Sequence, residues 1–344
     1  MVNRIMSPSG SPFTLLKSAV SYRVHPSRTG RLLISLIRAS FQYPLIWIER
    51  VYAKKRIQNT KIEVPPVFII GHFRSGTSLM HKLLAADPRW RHINEYELFF
   101  PYHSQLVQRW LKPLIQRVIR FLKMKHPNFN DYIIDLDDPN EDEALLISLG
   151  ATWASYWSYI FPSHSREIIS KTIAFQDDET KEAWKSSYLF FLKRLVWKKD
   201  GQLLIKSPSG TGRVKALLDL FPDAKFIYMY RDPLSVTRSM EKIWKQEILK
   251  YFCLQKPDWS TVQHQINANK ELLIGAYQRD KHLVPEGNLI EICYEHFVTN
   301  QFATIESIYK QFQFCFDTPI QKLVKEKVDH GKSYRDSKYV DNKR

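Results

Sequence analysis

Residues 67–78 read Val-Phe-Ile-Ile-Gly-His-Phe-Arg-Ser-Gly-Thr-Ser. Four consecutive apolar residues, Val67–Ile70, match a strand buried on both faces. Gly71 to Gly76 then form a loop, and residues 77–86 carry helical spacing until Asp87-Pro88 stops it. A buried strand that turns through glycines into a helix is the opening unit of a parallel α/β sheet. The text around it repeats the alternation. Residues 203–206, 225–230 and 288–293 read as further strands; 178–198, 213–221, 233–245 and 303–313 read as helices. The expected fold is α/β, a central parallel sheet flanked by helices on both faces.

Length and composition agree with this. The chain has 344 residues, 44% hydrophobic and 25% charged, which excludes a disordered or disulfide-built protein. Three cysteines without paired spacing give neither a metal site nor a disulfide framework, and a reducing, cytoplasmic setting is expected. Residues 1–62 hold eleven basic residues against Glu49 alone, a net +10 of the chain's +16. They are read as a basic, mainly helical extension before a domain over 63–330, with a polar, basic tail over 331–344. Ile34, Ile37, Phe41, Leu45 and Ile48 lie on one face of a helix over 31–56, with Arg31, Ser35, Arg38, Gln42 and Glu49 on the other. The apolar face is expected to dock on the protein's own core; contact with the inner face of a membrane is the second use of such a helix. Residues 32–48 are too short and too interrupted to span a bilayer. No nucleic-acid recognition module accompanies the charge, so nucleic acid is not an expected partner.

The loop carries the chemistry. A glycine-rich turn entering a helix presents backbone N–H groups and a helix N-terminus to an anion. Gly71, Gly76 and Ser78 fit the triphosphate-loop pattern GxxxxGK[ST], but Thr77 stands where its lysine belongs. A kinase or ATPase loses its main phosphate-binding group by that change. Arg74 supplies positive charge inside the loop instead. Further on, Arg231 follows the 225–230 strand, where ligands of open α/β sheets bind. Ser239, two turns into the next helix, can join it on a second phosphate.

The segments 71–88 (GHFRSGTSLMHKLLAADP) and 221–240 (FPDAKFIYMYRDPLSVTRSM) together resemble the two donor-binding motifs of the sulfotransferase family. The resemblance runs from about 66 to 312 and includes LLIKSPSGTGR at 203–213 and YEHFVTNQFATIESIY at 294–309. It is nearest to the bacterial branch whose RSGT loop is shared with tyrosylprotein sulfotransferases. It implies a P-loop-like fold and 3′-phosphoadenosine 5′-phosphosulfate as donor. It implies that Arg74, Ser75, Gly76, Thr77 and Ser78 hold the 5′-phosphosulfate, that Arg231 and Ser239 hold the 3′-phosphate, and that Tyr294 lies near the nucleoside. Lys206 matches a lysine that assists at the sulfuryl group, and Arg74 is the candidate for the leaving phosphate oxygen. The family's cytosolic members carry a histidine base two residues after that lysine, where this chain has Pro208. Tyrosylprotein sulfotransferases instead have a glutamate shortly after the loop helix, and Glu95 stands at the matching spacing. Glu97 is its rival, and shares a face with it if the segment is extended. The chemistry needs no metal. His72, His81, His92 and His164 lack ligand spacing, and the acidic run Asp135 to Glu143 reads as a loop opening a helix.

For the acceptor, residues 153–161 (WASYWSYIF) offer an apolar wall if they are helical, with Trp153, Tyr156, Trp157 and Ile160 on one face. The expected acceptor is a lipophilic alcohol, a sterol or lipid. A sugar hydroxyl is the alternative, because aromatic faces also stack on sugars. A P-loop kinase is the alternative from another class.

Overall fold

The computed structural model describes residues 11–101, 104–124, 133–175, 177–197 and 201–341. In chain order the elements that matter are α1 (Pro12–Tyr22), α2 (Thr29–Asn59), β1 (Val67–Ile70), α3 (Thr77–Leu84), β2 (Trp90–Arg91), α4 (Glu95–Phe99), α5 (Ser104–Phe121), α6 (Asp142–Ser148), α7 (Trp157–Ile160), α8 (Ser165–Ile169), α9 (Asp178–Val196), β3 (Gln202–Lys206), α10 (Val214–Leu220), β4 (Lys225–Tyr230), α11 (Pro233–Ile243), α12 (Trp259–Asp280), β5 (Leu289–Cys293), α13 (Tyr294–Thr299), α14 (Gln301–Gln311) and α15 (Thr318–Asp341).

The strands form one sheet in the order β2-β3-β1-β4-β5. Every pairing is parallel, with Val67 opposite Leu204 on one side and Lys225 on the other. Alternate residues of β1 explain the two layers. Val67 and Ile69 face a core that includes Met80 and Leu83 of α3, Ile305 and Ile308 of α14 and Val324 and Val328 of α15. Phe68 and Ile70 face the other core, with Trp184, Tyr188 and Leu192 of α9, Leu217 of α10 and Tyr277 of α12. This is the expected parallel sheet covered on both faces, the P-loop-like fold.

Two expectations are corrected. First, α2 runs unbroken through Pro44 and docks by the opposite face. Ser35, Ala39, Glu49, Ala53 and Ile57 are buried, whereas Ile34, Ile37, Phe41 and Ile48 are exposed. Small side chains let the helix approach closely, and the buried Glu49 carboxylate is satisfied by Arg194 of α9, Nε to Oε1 2.5 Å. Second, residues 153–161 are not helical throughout: α7 spans Trp157–Ile160. Between α6 and α7 the chain turns at Gly150, whose φ is +79°. Trp153 therefore leaves the supposed shared face and packs edge-on against Trp184 and Tyr188, with ring centroids 6.2 and 6.3 Å away. At the C-terminus, α15 starts inside the domain expected over 63–330 and runs on into the segment expected as a tail. The α15 backbone is helical to Asp341, and Val324 and Val328 are core. Residues 342–344 lie outside the described residues.

Candidate active site

The C-terminal ends of β1, β3, β4 and β5 bring Gly71, Lys206, Arg231 and Tyr294 to one edge of the sheet. The loop after β1 is held by its backbone. Gly71 N–H donates to Thr211 Oγ1 at 2.7 Å. Gly71 (φ +138°) has no room for a Cβ, which would lie 2.2 Å from the Met229 carbonyl oxygen. Gly76 (φ +100°) is equally constrained, because a Cβ there would lie 2.3 Å from the Tyr294 ring. Arg74 is left-handed at φ 74°, an uncommon state for a side-chain-bearing residue. The Ser75 hydroxyl is buried with no hydrogen-bond partner among the described residues. With the unpaired N–H groups at the start of α3, it makes the loop a cradle short of an acceptor.

Beside the cradle the two distant motifs meet. Arg74 Nε donates to Ser239 Oγ at 2.9 Å, and Arg231 donates to the Arg74 carbonyl at 3.3 Å. The Arg231 guanidinium stacks 4.3 Å from the Tyr294 ring centroid, and that ring also packs on Gly76. Asp232 does not neutralise Arg231; it caps α11, accepting from Ser235 N–H at 2.7 Å. Burial and then the neighbouring Arg231 pull the Arg74 pKa below its ordinary value. The two positive charges repel one another, Glu295 lies 3.9 Å from Arg231, and a further anion is attracted to the pair. Arg74 thus stands with Ser239 and Arg231, the pair expected at the 3′-phosphate, and not apart from them.

On the other side of the loop, Lys206 Nζ donates to Ser78 Oγ at 2.9 Å and pairs with Glu141 Oε2 at 2.9 Å. Glu141 N–H is held by Asn140 Oδ1 at 2.7 Å. Asn140 Nδ2 in turn donates to Glu95 Oε1 at 2.9 Å. The chain Ser78–Lys206–Glu141–Asn140–Glu95 therefore links the loop to the proposed base. Asn140 and Glu141 were missed as site residues. The spacing marks them only as the approach to a helix, and the bridge between Glu141 and Lys206 is visible only in space.

Glu95 and Glu97 are separated by their local structure. Both lie in the first turn of the short helix α4, so they do not share an extended face. Glu97 is fully buried and completes a capping box with Asn94. Burial pushes its pKa up. Arg91, through its charge and its hydrogen bonds, together with Arg194 and the Asn94 N–H, outweighs that and holds it below the usual carboxylate range. Glu97 is a structural ion. His72 and His81 are likewise buried groups. Burial depresses the His72 pKa to about 4, and the His81 ring packs edge-on against His92 at 5.8 Å. The aromatic segment contributes less than expected. Tyr156 and Tyr159, not Trp153, reach the loop, with rings 6.1 and 5.8 Å from Phe73.

Residues 65–318 match the model of the sulfotransferase family. The chain is 27% identical over 296 residues to the omega-hydroxy-beta-dihydromenaquinone-9 sulfotransferase Stf3 of Mycobacterium bovis, covering 86% of this chain and 74% of that protein. The Mycobacterium tuberculosis protein of that name matches equally. Among solved structures, the sulfotransferase STF9 from Mycobacterium avium superposes with a TM-score of 0.70 at 15% identity, covering 94% of this chain and 88% of that one. The sulfotransferase STF1 from Mycobacterium tuberculosis H37Rv gives 0.68 at 15% identity, covering 91% and 84%.

Proposed function

Because the chain belongs to the sulfotransferase family, we propose that it moves a sulfuryl group from 3′-phosphoadenosine 5′-phosphosulfate to the hydroxyl of a lipophilic alcohol. The observation that carries the donor reading is the contact of Arg74 with Ser239 beside Arg231, adjoining a cradle whose Ser75 hydroxyl has no partner among the described residues. It offers two neighbouring anion sites, as a nucleoside carrying phosphate groups at both ends requires. The loop N–H groups, Ser75, Gly76 and Thr77 take the 5′ end. Arg74, Arg231 and Ser239 take the 3′-phosphate, and Tyr294 backs the nucleoside. The triphosphate alternative is disfavoured, since Thr77 leaves no loop lysine.

In the reaction, Glu95 accepts the acceptor's proton as its oxygen forms the new O–S bond. The bond from sulfur to the 5′-phosphate oxygen breaks, and the negative charge grows on that leaving oxygen. Lys206 and Ser78, already hydrogen-bonded, and the α3 backbone N–H groups stabilise it. With Arg74 turned to Ser239, the leaving oxygen relies on Lys206 first. Asn140 orients Glu95, and Glu141 positions Lys206.

The lipophilic acceptor is supported by the Phe73, Tyr156 and Tyr159 rings beside the loop. It is supported too by a relative named for a hydroxylated menaquinone. A cytoplasmic setting fits the three free thiols. The test is transfer from sulfur-labelled donor to a panel of sterols, long-chain and prenylquinone alcohols, and glycans. Label in the lipid alcohols is expected. Label in glycans alone would replace this acceptor by a sugar.

A further inference from the structure

The helices α1, α2 and α5 each turn an apolar stripe away from the protein. On α5, Trp110, Leu114, Val118 and Phe121 step by 4, 4 and 3 and form one stripe; Trp110 is 76% exposed and Phe121 86%. On α2, Ile34, Ile37, Phe41 and Ile48 form another, with Phe41 85% exposed. Phe13, Leu16 and Val20 do the same on α1. The helices α1 and α2 pack on each other, and α5 is tied to α2 through Arg194 of α9. Phe13 stacks edge-on to Tyr43, with centroids 5.3 Å apart. Arg194 ties Glu49 of α2 to the Pro101 carbonyl just before α5.

Such patches mark a docking site, and their charge names the partner. Residues 104–124 contain five basic residues and no acid. Arg109, Arg117, Arg120 and Lys123 are exposed there, as are Lys54, Lys55 and Arg56 on α2. The acid of α2, Glu49, is buried against Arg194. A second copy docking about a two-fold axis would set like charge against like charge. No helix among the described residues is long and apolar enough to cross a membrane. We propose that α1, α2 and α5 form a surface that lies in the interface of an anionic phospholipid bilayer, apolar stripes down and basic side chains among the headgroups.

The place of α5 gives this surface a use, and here alone the inference rests on the lipophilic-acceptor reading. The inner side of α5, through Ile115 and Ile119, packs on Tyr96, the neighbour of Glu95. Gln116 of α5 holds the Ile134 carbonyl at 3.1 Å and the Leu136 N–H at 2.8 Å, in the segment that leads to Asn140. An acceptor leaving the bilayer at α5 arrives beside the proposed base.

The test is flotation of the full-length chain with phosphatidylcholine–phosphatidylglycerol vesicles and with phosphatidylcholine vesicles, without donor or acceptor. The variant is W110D/F121D, whose melting temperature and stabilisation by 3′-phosphoadenosine 5′-phosphate should equal the wild type's. The wild type is expected to float with the anionic vesicles, and the variant to lose about tenfold or more in binding. Failure of the wild type to float, or equal flotation of the variant, overturns the proposal. So does a wild-type dimer that ignores vesicles and becomes monomeric in the variant. Loss of the acceptor reading would leave flotation unchanged.

Discussion

Arg74 and Ser239, 165 positions apart in sequence, meet at 2.9 Å between Nε and Oγ. The contact joins the loop after β1 to the helix after β4, and Arg231 closes on it through the Arg74 carbonyl. Two neighbouring guanidiniums repel one another, and an anion held between them adds to the Glu295 carboxylate, 3.9 Å from Arg231, in offsetting that repulsion.

This geometry predicts coupled binding. Arg231→Ala should weaken 3′-phosphoadenosine 5′-phosphate by about 10- to 100-fold, the worth of a charge-assisted hydrogen bond. Arg74→Ala and Ser239→Ala should be non-additive in a double-mutant cycle read by calorimetry. Additive effects would mean that the two side chains act apart.

Glu95→Gln is expected to reduce kcat by about 10²- to 10⁴-fold and leave bisphosphate affinity near the wild-type value. Asn140→Ala, which removes the hydrogen bond orienting Glu95 together with the one that holds the Glu141 N–H, should cost less in kcat and shift its pH profile. Turnover unchanged in Glu95→Gln would remove Glu95 from the reaction.

Gly76→Ala should lose donor affinity. The added Cβ meets the Tyr294 ring at 2.3 Å, and φ +100° strains any side-chain-bearing residue. Tyr294→Ala in the same chain relieves the clash but not the strain, so binding measured by calorimetry should recover only in part.

Glu97 is expected to govern stability and not turnover. Removing it as Glu97→Ala strands Arg91 in the core and should cost about 3–5 kcal/mol in urea denaturation at neutral pH. Its pKa is lowered in the folded state. Its stabilisation is therefore complete above the ordinary glutamate range and is lost as pH falls through the lowered folded value. The gap between wild type and Glu97→Ala should narrow under acid; a constant gap would contradict the assignment.

What the sequence could tell depended on how locally each feature is determined. The strand over 225–230 is found at the expected residues because a continuous apolar run needs no context. Arg231 and Ser239 were legible because a strand end and a helical step fix their places. The two-residue strand Trp90–Arg91 has no period to read. The 22-residue helix α12, polar along most of its length, went unread even though Asp258 caps it. The orientation of α2 was misread because Glu49 looks solvent-facing until Arg194, 145 positions away, supplies its partner. Glu95 was named from the spacing that the resemblance supplies, whereas the burial of Glu97 against Arg91 is visible only in space. Asn140 and Glu141 belong to the site through contacts that no spacing encodes.

The most direct test of the central claim is a thermal-shift titration with 3′-phosphoadenosine 5′-phosphate against ADP and ATP, each with and without magnesium. A ligand that binds the native state raises its melting temperature by mass action. Stabilisation by the bisphosphate alone, independent of magnesium and lost in Arg231→Ala, is the predicted result. A response only to ATP with magnesium would contradict the account.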